Sequence, residues 1–228
     1  MTMRCWFVLL ACTPVFAQAP AFEVASIKPS DYRGGPLRIT AGVDPDGIRF
    51  SNVTLAACIR RAYGVAPYQV IGPEWINTER YMIVAKAGGP APESAILEML
   101  KALLAERFKL VLHREPREMP VYGLVVAKGG AKLKESAEEG ATEIGGGDGD
   151  GVKFERAAMG SLAGFLTRNL GRPVFDDTGL KGRYDFTLNG DGESIFTTVT
   201  EQLGLRLEGR KGQVEVLVVD RAERASGN

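Results

Sequence analysis

"GIRFSNVTLAACIRRAYG", Gly47 to Gly64, decides how the chain is read. Ile48 and Phe50 alternate with polar neighbours, the period of a strand with one buried face. The period then changes. Leu55, Ile59, Ala62 and Tyr63 fall on one side of a helix, Thr54 stands at the N-cap position, and Gly64 supplies a C-terminal stop. The stretch also recurs: "GVKFERAAM" (Gly151 to Met159) resembles "GIRFSNVTL" (Gly47 to Leu55).

Three further pairs keep the same order in both halves. "ERYMIVAK" (Glu79 to Lys86) matches "GRYDFTLN" (Gly182 to Asn189), and "ERFKLVLHRE" (Glu106 to Glu115) matches "EQLGLRLEGR" (Glu201 to Arg210). "VYGLVVAK" (Val121 to Lys128) matches "VEVLVVDR" (Val214 to Arg221). Conserved order makes the series a repeat rather than chance. The expected fold is α+β: two related β-α-β/β-α-β modules, over 20–130 with an N-terminal hairpin and over 152–222.

In the first module Asp44-Pro45-Asp46-Gly47 is a turn joining the hairpin. Arg80 to Lys86 is a strand, and Pro92 opens a helix carrying Ile96, Leu100, Leu103, Leu104 and Phe108 at helical spacing. Lys109 to Arg114 and Val121 to Lys128 close it as strands. In the second module, Leu162, Phe165, Leu166 and Leu170 make one helical face stopped by Gly171, and Ile195, Phe196, Val199 and Leu203 make another stopped by Gly204. Leu205 to Glu208 and Val214 to Val219 are expected as a closing pair joined by Gly209-Arg210-Lys211-Gly212.

Ala131 to Gly151 is rich in Gly, Glu and Asp and lacks an apolar period, so a flexible linker is expected there. Gly145 to Gly149 is not a phosphate loop, because no Gly-Lys-Ser/Thr follows and its acids repel phosphate. Asp148 and Asp150 lack the glutamate that completes an EF-hand calcium loop.

The charge is balanced, with 28 Lys and Arg against 28 Asp and Glu, which argues against a nucleic-acid binder. Residues 1–19 read as a secretory signal peptide: Arg4, an apolar run from Cys5 to Phe16, and small residues at Ala17 and Ala19. That run is too short for the ~20 apolar residues of a spanning helix, and "LLAC" (Leu9 to Cys12) departs from a lipoprotein signal at Leu10. The expected product is exported, periplasmic or extracellular, with no membrane span. Cleavage leaves Cys58 as the last thiol, and its apolar neighbours mark it as a buried structural cysteine.

Asp177-Thr178-Gly179 matches the aspartic-peptidase triplet. That chemistry needs two carboxylates sharing a proton, and the equivalent place in the first half, "GPEWINTER", has no such triplet. The turn reading is preferred: Asp177 caps backbone N–H groups and Gly179 takes a positive φ. His113, the one histidine, lies on the solvent side of an alternating strand, and one His with one Cys does not make a zinc site. Tyr63, Tyr68 and Trp75 are the candidate partner-contact residues, since aromatic residues anchor interfaces. Arg80 and Arg183 each precede a tyrosine and are expected to fix a turn.

"FEVASIKPS", "IRFSNVTLAACIRRAYGV", "GPEWINTERYMIVAKA", "LLAERFKLVLHREPREMPVYGLVVAKGGAKLKES" and "LGRPVFDDTGLKGRYDFTL" resemble an exported acidobacterial protein family of unknown function. The family carries no established activity or catalytic residues, and such domains occur fused to membrane metallopeptidase sensors of the BlaR type. Each half also resembles the short N-terminal domain of secretins and TonB-dependent receptors, a module that makes protein contacts. Met159 to Leu205 fits that pattern best. The resemblance implies a non-catalytic interaction or sensing module of the cell envelope, with an envelope protein as partner and no cofactor. A small-ligand-binding protein is the alternative, and an aspartic peptidase stands third.

Overall fold

The computed structural model describes residues 20–31, 39–146, 151–190 and 194–225. The signal peptide read over 1–19, and Asp148 with Asp150, lie outside the described residues. The elements run β1 (Val24–Pro29), β2 (Thr40–Asp44), β3 (Gly47–Thr54), α1 (Leu55–Tyr63), β4 (Val70–Ile71), α2 (Trp75–Thr78), β5 (Arg80–Lys86), α3 (Glu93–Arg107) and β6 (Val111–Val126). They continue with β7 (Lys134–Glu135), β8 (Glu143–Gly146), β9 (Val152–Ala157), α4 (Met159–Leu170), β10 (Val174–Asp176), β11 (Tyr184–Leu188), α5 (Ile195–Leu203) and β12 (Leu205–Arg221).

Packing divides the chain into two compact units that interleave along the sequence. Thr78–Leu110 belongs with the residues up to Tyr63, while Gly64–Asn77 belongs with Val111–Arg221. The division expected at 130 and 152 is therefore not the one packing makes. The reason is β4, which leaves its own half to pair with β12.

The first unit is an antiparallel sheet in the order β1-β5-β3-β2 with α1 and α3. Ile27, Ile48, Phe50, Val53, Tyr81, Ile83 and Ala85 are buried on one face, as the alternation requires. Thr54 Oγ1 accepts the Ala57 N–H at 3.2 Å and starts α1. Gly64, at φ +64°, ends it at a position that favours glycine. In α3, Ile96, Leu100 and Leu104 are completely buried, and Phe108 meets Tyr81 edge-on at 5.0 Å. Side chains of this size stabilise by about 1.5–3 kcal/mol each on full burial.

The second unit is built on a ribbon of two long antiparallel strands, β6 and β12, paired from Leu205 with Val126 to Arg221 with Val111. Short strands run parallel to each side of it, β10 on β6 and β4 on β12. A second sheet has the order β7-β11-β9-β8. Leu124, Phe154, Met159, Leu162, Leu166, Val199, Leu203 and Leu205 form one buried cluster joining α4, α5 and the strands. Gly171 and Gly204, both at φ +62°, end the two helices where expected.

One local device stands at two places. The β3–β5 register slips between Phe50 and Val53, with Asn52 at φ +56°. Arg80 Nη1 donates to the Asn52 carbonyl at 2.8 Å. The β9–β11 register slips between Phe154 and Ala157, with Arg156 at φ +52°. Arg183 Nη1 donates to the Arg156 carbonyl at 2.9 Å. Each arginine clamps a β-bulge rather than a turn.

Two expectations are corrected. Gly209-Arg210-Lys211-Gly212 is not a hairpin turn but the middle of β12, and Met119-Pro120 lies inside β6. Local turn preference gives way because each segment is the other's cross-strand partner, Lys211 opposite Pro120 and Gly212 opposite Met119. The stretch expected as a linker carries β7 and β8, paired with β11 and β9. Ladder bonds need no apolar side chains, and Arg156 ties the segment down. It binds Glu138 at 2.9 Å, Glu143 at 2.5 Å and the Ala141 carbonyl at 3.0 Å.

Candidate functional site

The Asp-Thr-Gly stretch follows β10 as a tight turn. Thr178 donates its N–H and its hydroxyl to Asp176 Oδ1, at 3.0 and 2.7 Å. Thr178 Oγ1 accepts the Leu180 N–H at 3.1 Å, and Gly179 sits at φ +73°. The capping carboxylate is therefore Asp176, not Asp177 as expected. The local geometry of an Asx turn places the acceptor two residues before the donor.

Asp177 does something else. Its own N–H donates to the Leu124 carbonyl at 3.0 Å, which continues the β10–β6 pairing. Its Oδ2 accepts from Arg210 Nε at 3.0 Å and Nη2 at 2.8 Å. The Arg210 guanidinium lies 5.2 Å from the Phe175 ring centroid. The pair crosses β6 at Gly123, where a Cβ would stand 2.5 Å from Asp177 Oδ2. The group holding Asp177 is thus a guanidinium, where a peptidase dyad places a second carboxyl.

His113 is exposed on the ribbon, as its alternation requires. Its Nδ1 lies 2.9 Å from Asp220 Oδ1 and its Nε2 3.4 Å from Glu115 Oε2. The hydrogen bond with Asp220, then that with Glu115, raises its pKa above 6.5. Glu115 is lowered, first by its hydrogen bond from Arg117 and then by that from His113. Arg114 pairs with Glu215 beside them. Among the described residues no group of three or more His, Cys, Asp or Glu is arranged to hold a metal. Cys58 is fully buried, and desolvation pushes its thiol up to about 12, which makes it unreactive at ordinary pH.

The aromatic candidates fall in different units. Tyr63 ends α1 in the first unit, half-buried, with Lys101 Nζ 5.0 Å from its ring centroid. Tyr68 and Trp75 belong to the second unit, in the 3-10 turn before β4 and at the start of α2. Both are half-buried, and desolvation raises the Tyr68 hydroxyl pKa.

The ribbon edges carry a pattern that was not read from the sequence. Tyr122 donates its N–H to Pro173, and Leu124 accepts from Asp177, so even-numbered β6 residues point their backbone groups away from β12. Pro116 and Pro120 are even-numbered, so their missing N–H groups fall on the outer edge and cost the ribbon no bond. The parity reverses on β12. Glu215 offers its carbonyl outward to Gln69 Nε2 at 2.9 Å, and Leu217 takes β4. Gly209, Lys211 and Gln213 therefore aim their N–H groups outward, and among the described residues no strand pairs with that edge. One side of the ribbon is protected by prolines and the other is open.

A family described as "Protein of unknown function (DUF3738)" matches residues 56–222, from α1 through the whole of β12. The chain belongs to the DUF3738 family. No curated protein and no solved structure matches it. The match covers both DUF3738 ribbon strands and the Asp177 turn, whereas β1, β2 and β3 precede it.

Proposed function

We propose that this DUF3738 chain is an exported, non-catalytic contact module of the cell envelope. In this reading it binds an extended segment of a partner protein along the free edge of β12. The single observation that carries it is the asymmetry of the ribbon: Pro116 and Pro120 close the β6 edge, while Gly209, Lys211 and Gln213 leave the β12 edge open. The outward N–H groups of Gly209, Lys211 and Gln213 have no strand partner among the described residues, although the Lys211 carbonyl accepts from Arg210 Nη1 at 3.4 Å, and such an edge is a template for strand addition. The N-terminal apolar run supports export.

We infer in addition that the two halves descend from one duplicated module. The support is the bulge with a left-handed residue and an arginine clamp, at Asn52 with Arg80 and at Arg156 with Arg183. Duplication accounts for why β6 and β12 each carry one short parallel strand.

The test is a crosslinking pull-down from envelope fractions with the parent protein and a Gln213→Pro variant. The residue's N–H faces outward, so proline there removes an edge donor without breaking a ribbon bond. The expected result is a partner lost in the variant with the melting temperature kept. Equal capture by both proteins refutes the edge. A small-ligand reading has one observation in its favour, a depression of about 710 Å³ lined by Glu23, Asp44, Asp46, Arg49 and Lys86. No specific partner, together with a robust small-molecule thermal shift, establishes that reading instead.

A further inference from the structure

The hairpin end of the first unit's sheet encloses the depression of about 710 Å³, within the ~300–1,000 Å³ of small-molecule sites. Charged residues of both signs line it: Glu23, Asp44, Asp46, Arg49 and Lys86. All are exposed, and among the described residues none of them forms an ion pair. Elsewhere on the surface exposed charges do pair, as Arg61 does with Glu93 and Lys153 with Glu155, each at 2.6 Å.

The register explains why these charges stay apart. Asp44, Gly47, Lys86 and Val24 stand in one row across β2, β3, β5 and β1. Gly47 therefore lies between Asp44 and Lys86, whose backbones are two strand spacings apart, about 9.6 Å. No side chain can fill the gap. Gly47 is at φ +146°, and a Cβ there would stand 2.1 Å from the Ala85 carbonyl oxygen. Arg49 is placed in a similar way, between Gly42 and Val84. Asp44 and Asp46 gather at the hairpin turn, and Glu23 stands at another rim, where a Cβ on Gly88 would lie 3.8 Å from its Oε2. The turn is held in place: the Asp46 carbonyl accepts the Ala87 N–H and the Pro45 carbonyl the Ala91 N–H, each at 2.9 Å.

A ligand with one charge leaves one set of these groups without a counter-charge. The acids in the depression outnumber the cations, so a purely anionic ligand is disfavoured. A ligand with an ammonium at one end and a carboxylate at the other satisfies both sets. Three extended residues of a peptide span about 10 Å, the distance between the Asp44 and Lys86 backbones. Capture of free peptide termini is a known mode of recognition.

We propose that this depression binds a short zwitterionic peptide by its free termini, the ammonium at Asp44 and Asp46 and the carboxylate at Arg49 and Lys86. The proposal rests on the small-ligand reading of the depression and is independent of the β12 edge.

The test is an NMR titration of the full chain with triglycine, set against triglycinamide, which lacks the carboxylate, and N-acetyltriglycine, which lacks the ammonium. Each blocked peptide should bind about tenfold more weakly than triglycine. Arg49→Gln with Lys86→Gln should abolish the preference over triglycinamide and leave that over N-acetyltriglycine. Asp44→Asn with Asp46→Asn should do the reverse. Raising the salt should weaken triglycine binding, and Lys128→Gln with Lys181→Gln, exposed cations of the other unit, should change neither preference. Equal binding of the three peptides, or preferences that the paired variants do not move, overturns the proposal. So does absence of triglycine binding; thermal shifts by other small molecules in that case keep the small-ligand reading, and their absence ends both.

Discussion

Asp176 and Asp177 are neighbours with opposite duties. Asp176 holds the turn through two hydrogen bonds from Thr178, and Asp177 reaches across Gly123 to Arg210. Asp176→Ala should therefore cost about 0.5–2 kcal/mol, the range of a lost cap. Asp177→Ala should cost at most about 1 kcal/mol, because its ion pair is exposed on both sides. Gly123→Ala should cost more in the parent than in the Asp177→Ala background, since the new Cβ meets the Asp177 carboxylate. Thermal melts of these variants check the order. Equal costs for Gly123→Ala in both backgrounds would mean the carboxylate is not held there.

The histidine gives a pH dependence with a definite sign. His113 has its folded pKa raised above 6.5 by Asp220 and Glu115. Its protonation favours the folded state, so the contribution is complete below 6.5 and is lost as pH rises through the raised folded value. Melts of the parent and His113→Gln across pH 5.5 to 8.5 should diverge most at the acidic end and converge at the alkaline end, with effects about the size of an exposed pair's. Divergence that grows with pH would reverse the sign and the assignment.

At the scale of elements, the outcome turns on what pairs with what. The helices were legible because Leu100, Leu104, Leu162 and Leu166 carry a helical period and Gly64, Gly171 and Gly204 stop it. The strands β7 and β8 were not, because Lys134, Glu135, Glu143 and Gly145 carry no apolar signal. What orders them is the ladder to β11 and β9 and the Arg156 fork. Backbone N–H groups in 143–146 that face β9 should accordingly exchange more slowly than that of Gly129 in the exposed turn, as read by hydrogen-exchange mass spectrometry. Arg156→Ala should speed exchange across β8. Uniformly fast exchange from 131 to 146 would restore a free linker.

At the scale of the molecule, the proposed export predicts that protein recovered from the native host starts near Gln18 or Pro20 by intact-mass measurement. An intact Met1 in a soluble cytoplasmic fraction would refute export and with it an envelope partner. The candidate surfaces were only partly visible beforehand. Tyr63, Tyr68 and Trp75 could be named by type, but Tyr63 belongs to one unit and the other two to the second. The open β12 edge depends on parity and register, which link Pro116 to Glu215 over a long sequence distance. The sequence by itself determined the α+β class, the helix faces and their glycine stops, the hairpin at 44–47, and the solvent-facing side of His113. Each follows from periodicity or backbone preference within a few residues. Tertiary structure alone decided that Gly209 to Gly212 runs straight, that β4 joins β12, and that Asp177 meets Arg210. Those outcomes come from hydrogen bonds between segments distant in sequence, whose cooperative gain outweighs a local turn preference of about 1 kcal/mol.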